Sequence, residues 1–76
     1  MESIIEFKED TDHKLIEEIH TDIRYAVQTT DTRVKYGTKI EIYDELNFND
    51  VSRIVKLLES YKLSDSVSDI RINVIG

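Results

Sequence analysis

Apolar residues recur along this chain at two different spacings. Residues 3–8 (Ser3-Ile4-Ile5-Glu6-Phe7-Lys8) alternate, which predicts a first strand with Ile5 and Phe7 turned inward. From Leu15 the spacing widens to three and four residues: Leu15, Ile16, Ile19, Ile23, Ala26 and Val27 form one stripe. That stripe predicts a helix from about His13 to Gln28, opened by the cap-rich run Glu9-Asp10-Thr11-Asp12 and closed by Thr29-Thr30-Asp31.

Between residues 32 and 46, Val34, Tyr36, Ile40 and Ile42 share one parity, with Gly37 midway. A two-residue turn at Gly37-Thr38 would mix the two faces of a hairpin. A three-residue loop at Lys35-Tyr36-Gly37, with the glycine left-handed, keeps them apart and pairs Val34 with Thr38 and Thr32 with Ile40. Asn47-Phe48-Asn49-Asp50 supplies a second set of cap residues. A second helix is expected from about Asp50 to Lys62 on the stripe Val51, Ile54, Leu57, Leu58 and Tyr61. After a loop at Ser64-Asp65-Ser66, residues 69–75 alternate again, with Ile70, Ile72 and Val74 on one face.

The order β-α-β-β-α-β is the split-βαβ, ferredoxin-like pattern: an α+β fold with two helices on one face of a four-stranded antiparallel sheet. A three-stranded β-α-β-α-β arrangement is the rival, if residues 33–43 run as one strand. The same alternation maps the uncovered face as Ile4, Glu6 and Lys8, then Lys39, Glu41 and Tyr43, then Arg71, Asn73 and Ile75. With the first strand between the third and fourth, Ile4, Tyr43 and Ile75 should meet as a small apolar cluster rimmed by Glu6, Glu41 and Arg71, the composition of a contact patch.

Seventy-six residues make one domain, residues 1–76, in which folding buries only roughly 60–65% of the unfolded surface, so a partner or a second copy would help it. At 34% charged and 39% apolar it is an ordinary globular composition. Isoleucine outnumbers leucine eleven to five, and Ala26 is the lone alanine, a bias expected of AT-rich coding sequence such as that of low-GC bacteria and their phages. No cysteine occurs, which excludes disulfides, thiolate nucleophiles and cysteine-based metal sites, and leads us to expect a cytoplasmic protein. No apolar run approaches the roughly 20 residues of a bilayer span, the acidic start is unlike a signal peptide, and the chain reads as a complete small gene product.

Charge changes the picture most. The first 22 residues hold eight acids against two bases, which accounts for the whole net charge of −6, while the rest of the chain balances. Asp10 and Asp12 suit a helix start, where acids meet free N–H groups and the helix dipole. Glu17, Glu18 and Asp22, with Glu9 at their foot, are expected on the outward side of the first helix. Such a field repels nucleic acid and steers toward basic partners.

Much chemistry has no residues to build it. Two glycines, Gly37 and Gly76, cannot make a phosphate-cradling loop or a dinucleotide fingerprint. No nucleophile elbow occurs, and the acids after the first strand lack the remaining ligands and the glycine of a calcium loop. His13, Glu17 and His20 share one helical strip at metal-ligand spacing, but Arg24 on the same strip opposes a cation, and weak surface pairing accounts for the three better.

The function expected is therefore non-catalytic, with no cofactor, metal, membrane or direct nucleic-acid partner. The first reading is a small protein-binding module, of the kind phages use as inhibitors, whose acidic helix (Glu9, Glu17, Glu18, Asp22) docks on a basic, nucleic-acid-binding surface of another protein. The second is a dimeric structural or regulatory module using Ile4, Tyr43 and Ile75 on its open face to self-associate or bind a small ligand.

Overall fold

The computed structural model describes residues 2–61 and 67–72. Its elements run β1 (Ser3–Phe7), α1 (His13–Ala26), β2 (Thr32–Lys35), β3 (Lys39–Ile42), α2 (Phe48–Ser60) and β4 (Val67–Arg71). The strands form a single four-stranded sheet in the order β2-β3-β1-β4, every neighbouring pair antiparallel. The three-stranded rival fails because residues 32–42 fold back as a hairpin, β2 pairing with β3. The expected loop at Ser64-Asp65-Ser66, the expected helix end at Lys62, and Asn73, Val74 and Ile75 lie outside the described residues.

The two periodicities meet in one core. Ile5 and Phe7 of β1 and Ile40 and Ile42 of β3 pack with Ile16, Ile19 and Ile23 of α1 and with Ile54 and Leu58 of α2. Leu46, just before α2, joins them fully buried. It stands one residue before the N-cap and Val51 at the fourth helical position, the two places of a hydrophobic staple.

Local chemistry sets the ends of the helices. Asp12 caps α1 by accepting from the Lys14 backbone N–H at 3.0 Å. At the other end Val27 is the C-cap, Gln28 turns left-handed at φ 52°, and the Thr29 N–H returns to the Arg24 carbonyl at 3.2 Å. This closing turn ends α1 two residues short of the expected boundary. At α2, Asn47 and Asp50 form a reciprocal capping box, so the helix starts at Phe48 rather than Asp50.

The hairpin corrects the expected register. Val34 pairs with Ile40 and Thr32 with Ile42, not with Thr38 and Ile40, and the loop is Tyr36-Gly37-Thr38. The shift is by two residues, so each side chain keeps its face. Its cause is Tyr36, which joins Gly37 in the left-handed region, at φ 58° and 73°. Two successive left-handed residues make a type I′ turn, with the Thr38 N–H donating to the Lys35 carbonyl at 3.3 Å. Gly37 is required here twice over, since a Cβ at that position would also lie 3.1 Å from the His13 ring.

β4 also departs from expectation, starting at Val67 and slipping register beside Glu6 and Phe7 of β1. Ile70 pairs with Ile5, yet as part of an edge strand it remains 44% exposed.

Candidate interaction surface

On α1 the buried stripe leaves Lys14, Glu17, Glu18, Thr21, Arg24 and Tyr25 exposed. Tyr25 is the most solvent-accessible of the large hydrophobic side chains described, at 81%. It lies four residues after Thr21 and seven after Glu18, so the three share one strip of the helix. Beside it a shallow depression of about 440 Å³ is lined by Thr21, Arg24, Tyr25, Gln28, Thr29 and Thr30. Thr29 fixes the floor: it is buried, its hydroxyl donates to Asp44, and it accepts from the Asp31 N–H at 3.1 Å.

The four acids expected to act together do not all share this surface. Glu17 and Glu18 are exposed on it. Asp22 is turned toward α2, where it accepts a hydrogen bond from the Tyr61 hydroxyl. That bond, more than the partial desolvation beside it, pushes the Tyr61 phenol up to about 12. Glu9 is exposed in the loop before α1, at the opposite end of the helix from Tyr25. The outward face is also less acidic than the sequence total, because Lys14 and Arg24 stand on it. Tyr25 was legible as an aromatic residue on the polar side of the helical stripe, a position where solubility alone favours charge.

The histidine strip comes apart. The His20 ring reaches β2, its Nε2 lying 2.6 Å from the Thr32 hydroxyl oxygen. Burial lowers its pKa most; Glu17 pulls the other way and Arg24 reinforces burial. The His13 ring instead lies against Gly37 at the hairpin turn. Among the described residues no group of three or more His, Cys, Asp or Glu is arranged to hold a metal ion. No helix among them is long and apolar enough to cross a membrane.

On the open face of the sheet, the expected cluster of Ile4, Tyr43 and Ile75 takes a different form. Ile75 lies outside the described residues. Tyr43 follows the end of β3 and donates its hydroxyl to Glu41 Oε1 at 2.6 Å, while the Arg33 guanidinium sits 5.4 Å from its ring centroid. The hydrogen bond to Glu41 is the largest cause of a raised Tyr43 pKa. The result covers Glu41, which is only 4% exposed although it points away from the core. Ile4 remains half-buried next to it, its backbone partner across β1 and β3.

At the hairpin tip Tyr36 is 79% exposed, with the Lys35 and Lys39 ammonium groups 5.4 and 6.0 Å from its ring centroid. The sequence pattern put Lys39 on the uncovered face but Lys35 in the hairpin loop. The strand register gathers them with Arg33 on one half of the sheet. Comparison with protein-family models, with curated proteins and with solved structures finds no match for this chain.

Proposed function

We propose that this chain is a ferredoxin-like binding module that works by contact rather than catalysis, docking the outward side of α1 on a basic surface of a partner protein. The strand order and the βαββαβ sequence of elements support the ferredoxin-like assignment. The observation that carries the functional reading is Tyr25: a tyrosine 81% exposed, beside a shallow depression, on a helix face with Glu17 and Glu18. Exposed tyrosines anchor protein interfaces, because they bury a large rigid surface at low entropy cost, and charges at the rim steer the encounter.

The roles divide accordingly. Tyr25 is the anchor, Glu17 and Glu18 are the rim, and Glu9 with its acidic neighbours contributes to the long-range field of a chain of net charge −6. Asp22 acts within the fold, holding α1 to α2 through Tyr61. The nucleic-acid channel of an enzyme, as blocked by small phage-type inhibitors, has the basic surface such a module would take.

The test is affinity capture from host lysate with wild type, Tyr25→Ala and Glu17→Lys/Glu18→Lys. A protein retained at low salt, released at high salt, and bound about tenfold more weakly by each variant supports the reading. Retention indifferent to salt and to both variants refutes it.

A further inference from the structure

We propose that the open face of the sheet is a self-complementary surface on which a second copy of this chain docks, sheet against sheet. The observation is a row of charges set by strand register. Lys35 pairs with Lys39 across β2 and β3, Lys39 with Glu6 across β3 and β1, and Glu6 with Asp69 across β1 and β4. All four lie on the face away from the core, so the row reads positive, positive, negative, negative across the sheet.

That pattern has a definite symmetry. A two-fold axis parallel to the strands, placed over the gap between β3 and β1, carries each end of the row onto the other. Lys35 of one copy then stands opposite Asp69 of the other, and Lys39 opposite Glu6, with both pairs made twice. An isologous interface needs this kind of self-complementarity. In the adjoining row Ile4 and the tyrosine-covered Glu41 flank the same axis. At its outer ends Arg33 and Arg71 would face each other, but each already has an internal partner, the Tyr43 ring and Asp69 at 3.1 Å.

Among the described residues Lys35, Lys39 and Glu6 form no ion pair, whereas Asp69 already pairs with Arg71 and would be shared with Lys35 of the other copy. Lys39 and Glu6 are direct cross-strand neighbours, yet they form no ion pair. The two ammonium groups gather instead at the ring of Tyr36, like charges side by side. A lysine on an edge strand can serve only to discourage stray strand pairing. That accounts for Lys35 on β2 and not for Lys39, because β3 is an interior strand.

The experiment is light scattering and sedimentation over a concentration series at low salt. Wild type should be a dimer at high-micromolar concentration and should dissociate about tenfold more readily at high salt. Lys35→Glu/Lys39→Glu makes the row all acidic and Glu6→Lys/Asp69→Lys makes it all basic; each alone should be a monomer, and an equimolar mixture should recover a dimer. Circular dichroism reports whether each variant folds, and if a double variant does not, Lys39→Glu alone should weaken the dimer about tenfold. Amide shifts on dilution should map to the open face, and Glu17→Lys/Glu18→Lys should leave the mass unchanged, which separates this surface from the α1 contact. A wild-type monomer throughout, double variants that dimerise like wild type, a mixture that stays monomeric, or dilution shifts confined to α1 would each overturn the proposal.

Discussion

Tyr61, at the C-terminal end of α2, donates its hydroxyl to a carboxylate oxygen of Asp22 on α1, 39 residues earlier in the chain. This bond is the polar fastening between the two helices, and it has a pH signature. The phenol is held protonated up to about 12, against an ordinary value of 10. The folded chain therefore binds a proton that the unfolded chain releases first. The stabilisation is complete below pH 10 and is lost as pH rises from about 10 toward about 12. Tyr61→Phe should lower the melting temperature at neutral pH and remove the latest phenolate transition seen by ultraviolet titration. An unchanged titration curve in the variant would contradict the assignment.

His20 works on the opposite side of the pH scale. Burial depresses its pKa below 6.5, so folding favours the neutral ring. Its contribution is present above pH 6.5 and is lost as pH falls through the lower, folded value. Urea midpoints of wild type and His20→Gln at pH 7.5 and pH 5 should converge on acidification. If the two chains lose stability equally, the His20–Thr32 contact is not the source.

Two left-handed residues invite stabilising changes. Gln28 closes α1 at φ 52°, where glycine avoids the steric penalty. Gln28→Gly should raise stability by roughly 0.5–1 kcal/mol in denaturant unfolding, after glycine's own entropy cost.

At the hairpin, Tyr36→Asn creates the Asn-Gly pair that a type I′ turn prefers and should also stabilise by roughly 0.5–1 kcal/mol. Gly37→Ala should do the reverse, losing about 1–2 kcal/mol, because it strains the backbone and brings a methyl to 3.1 Å from the His13 ring. A neutral result for Gly37→Ala would show that the turn relaxes into another form.

The capping box of α2 should be worth about 1 kcal/mol to Asn47→Ala, since the side chain satisfies the Asp50 N–H at 2.9 Å. Phe48→Ala, at a position 71% exposed, should cost far less. Thermal unfolding of the two variants ranks them directly.

What the sequence made legible follows from what periodicity can and cannot encode. Alternation placed Ile5, Phe7, Ile40 and Ile42 on one face, and helical spacing placed Ile16, Ile19, Ile23, Ile54 and Leu58 against them, because burial enforces both periods. The hairpin register was not legible, because a left-handed tyrosine breaks the residue preference on which turn rules depend. The start of α2 was missed because Phe48 at the first helical position is apolar and exposed, outside the stripe. The acidic group lost Asp22 to Tyr61, a contact between residues that no local window joins. Glu6 and Lys39 were expected on the open face, but Lys35 and Asp69 joined them in one row only through the observed β2–β3 and β1–β4 registers.

The position of β1 in the sheet bears on how the chain comes to be folded. It is the first strand made, yet its neighbours arrive late: Ser3 waits for Ile42, and Ile5 for Ile70. During synthesis the α1 stripe and β1 must stay uncovered until β3 emerges, and one edge of β1 stays bare until β4 follows. Long-range pairing of this kind slows folding, and a bare edge is a template for strand addition by other chains. Pairing with β4 should therefore be the step that closes the sheet, and shortened chains ending before Val67 should aggregate.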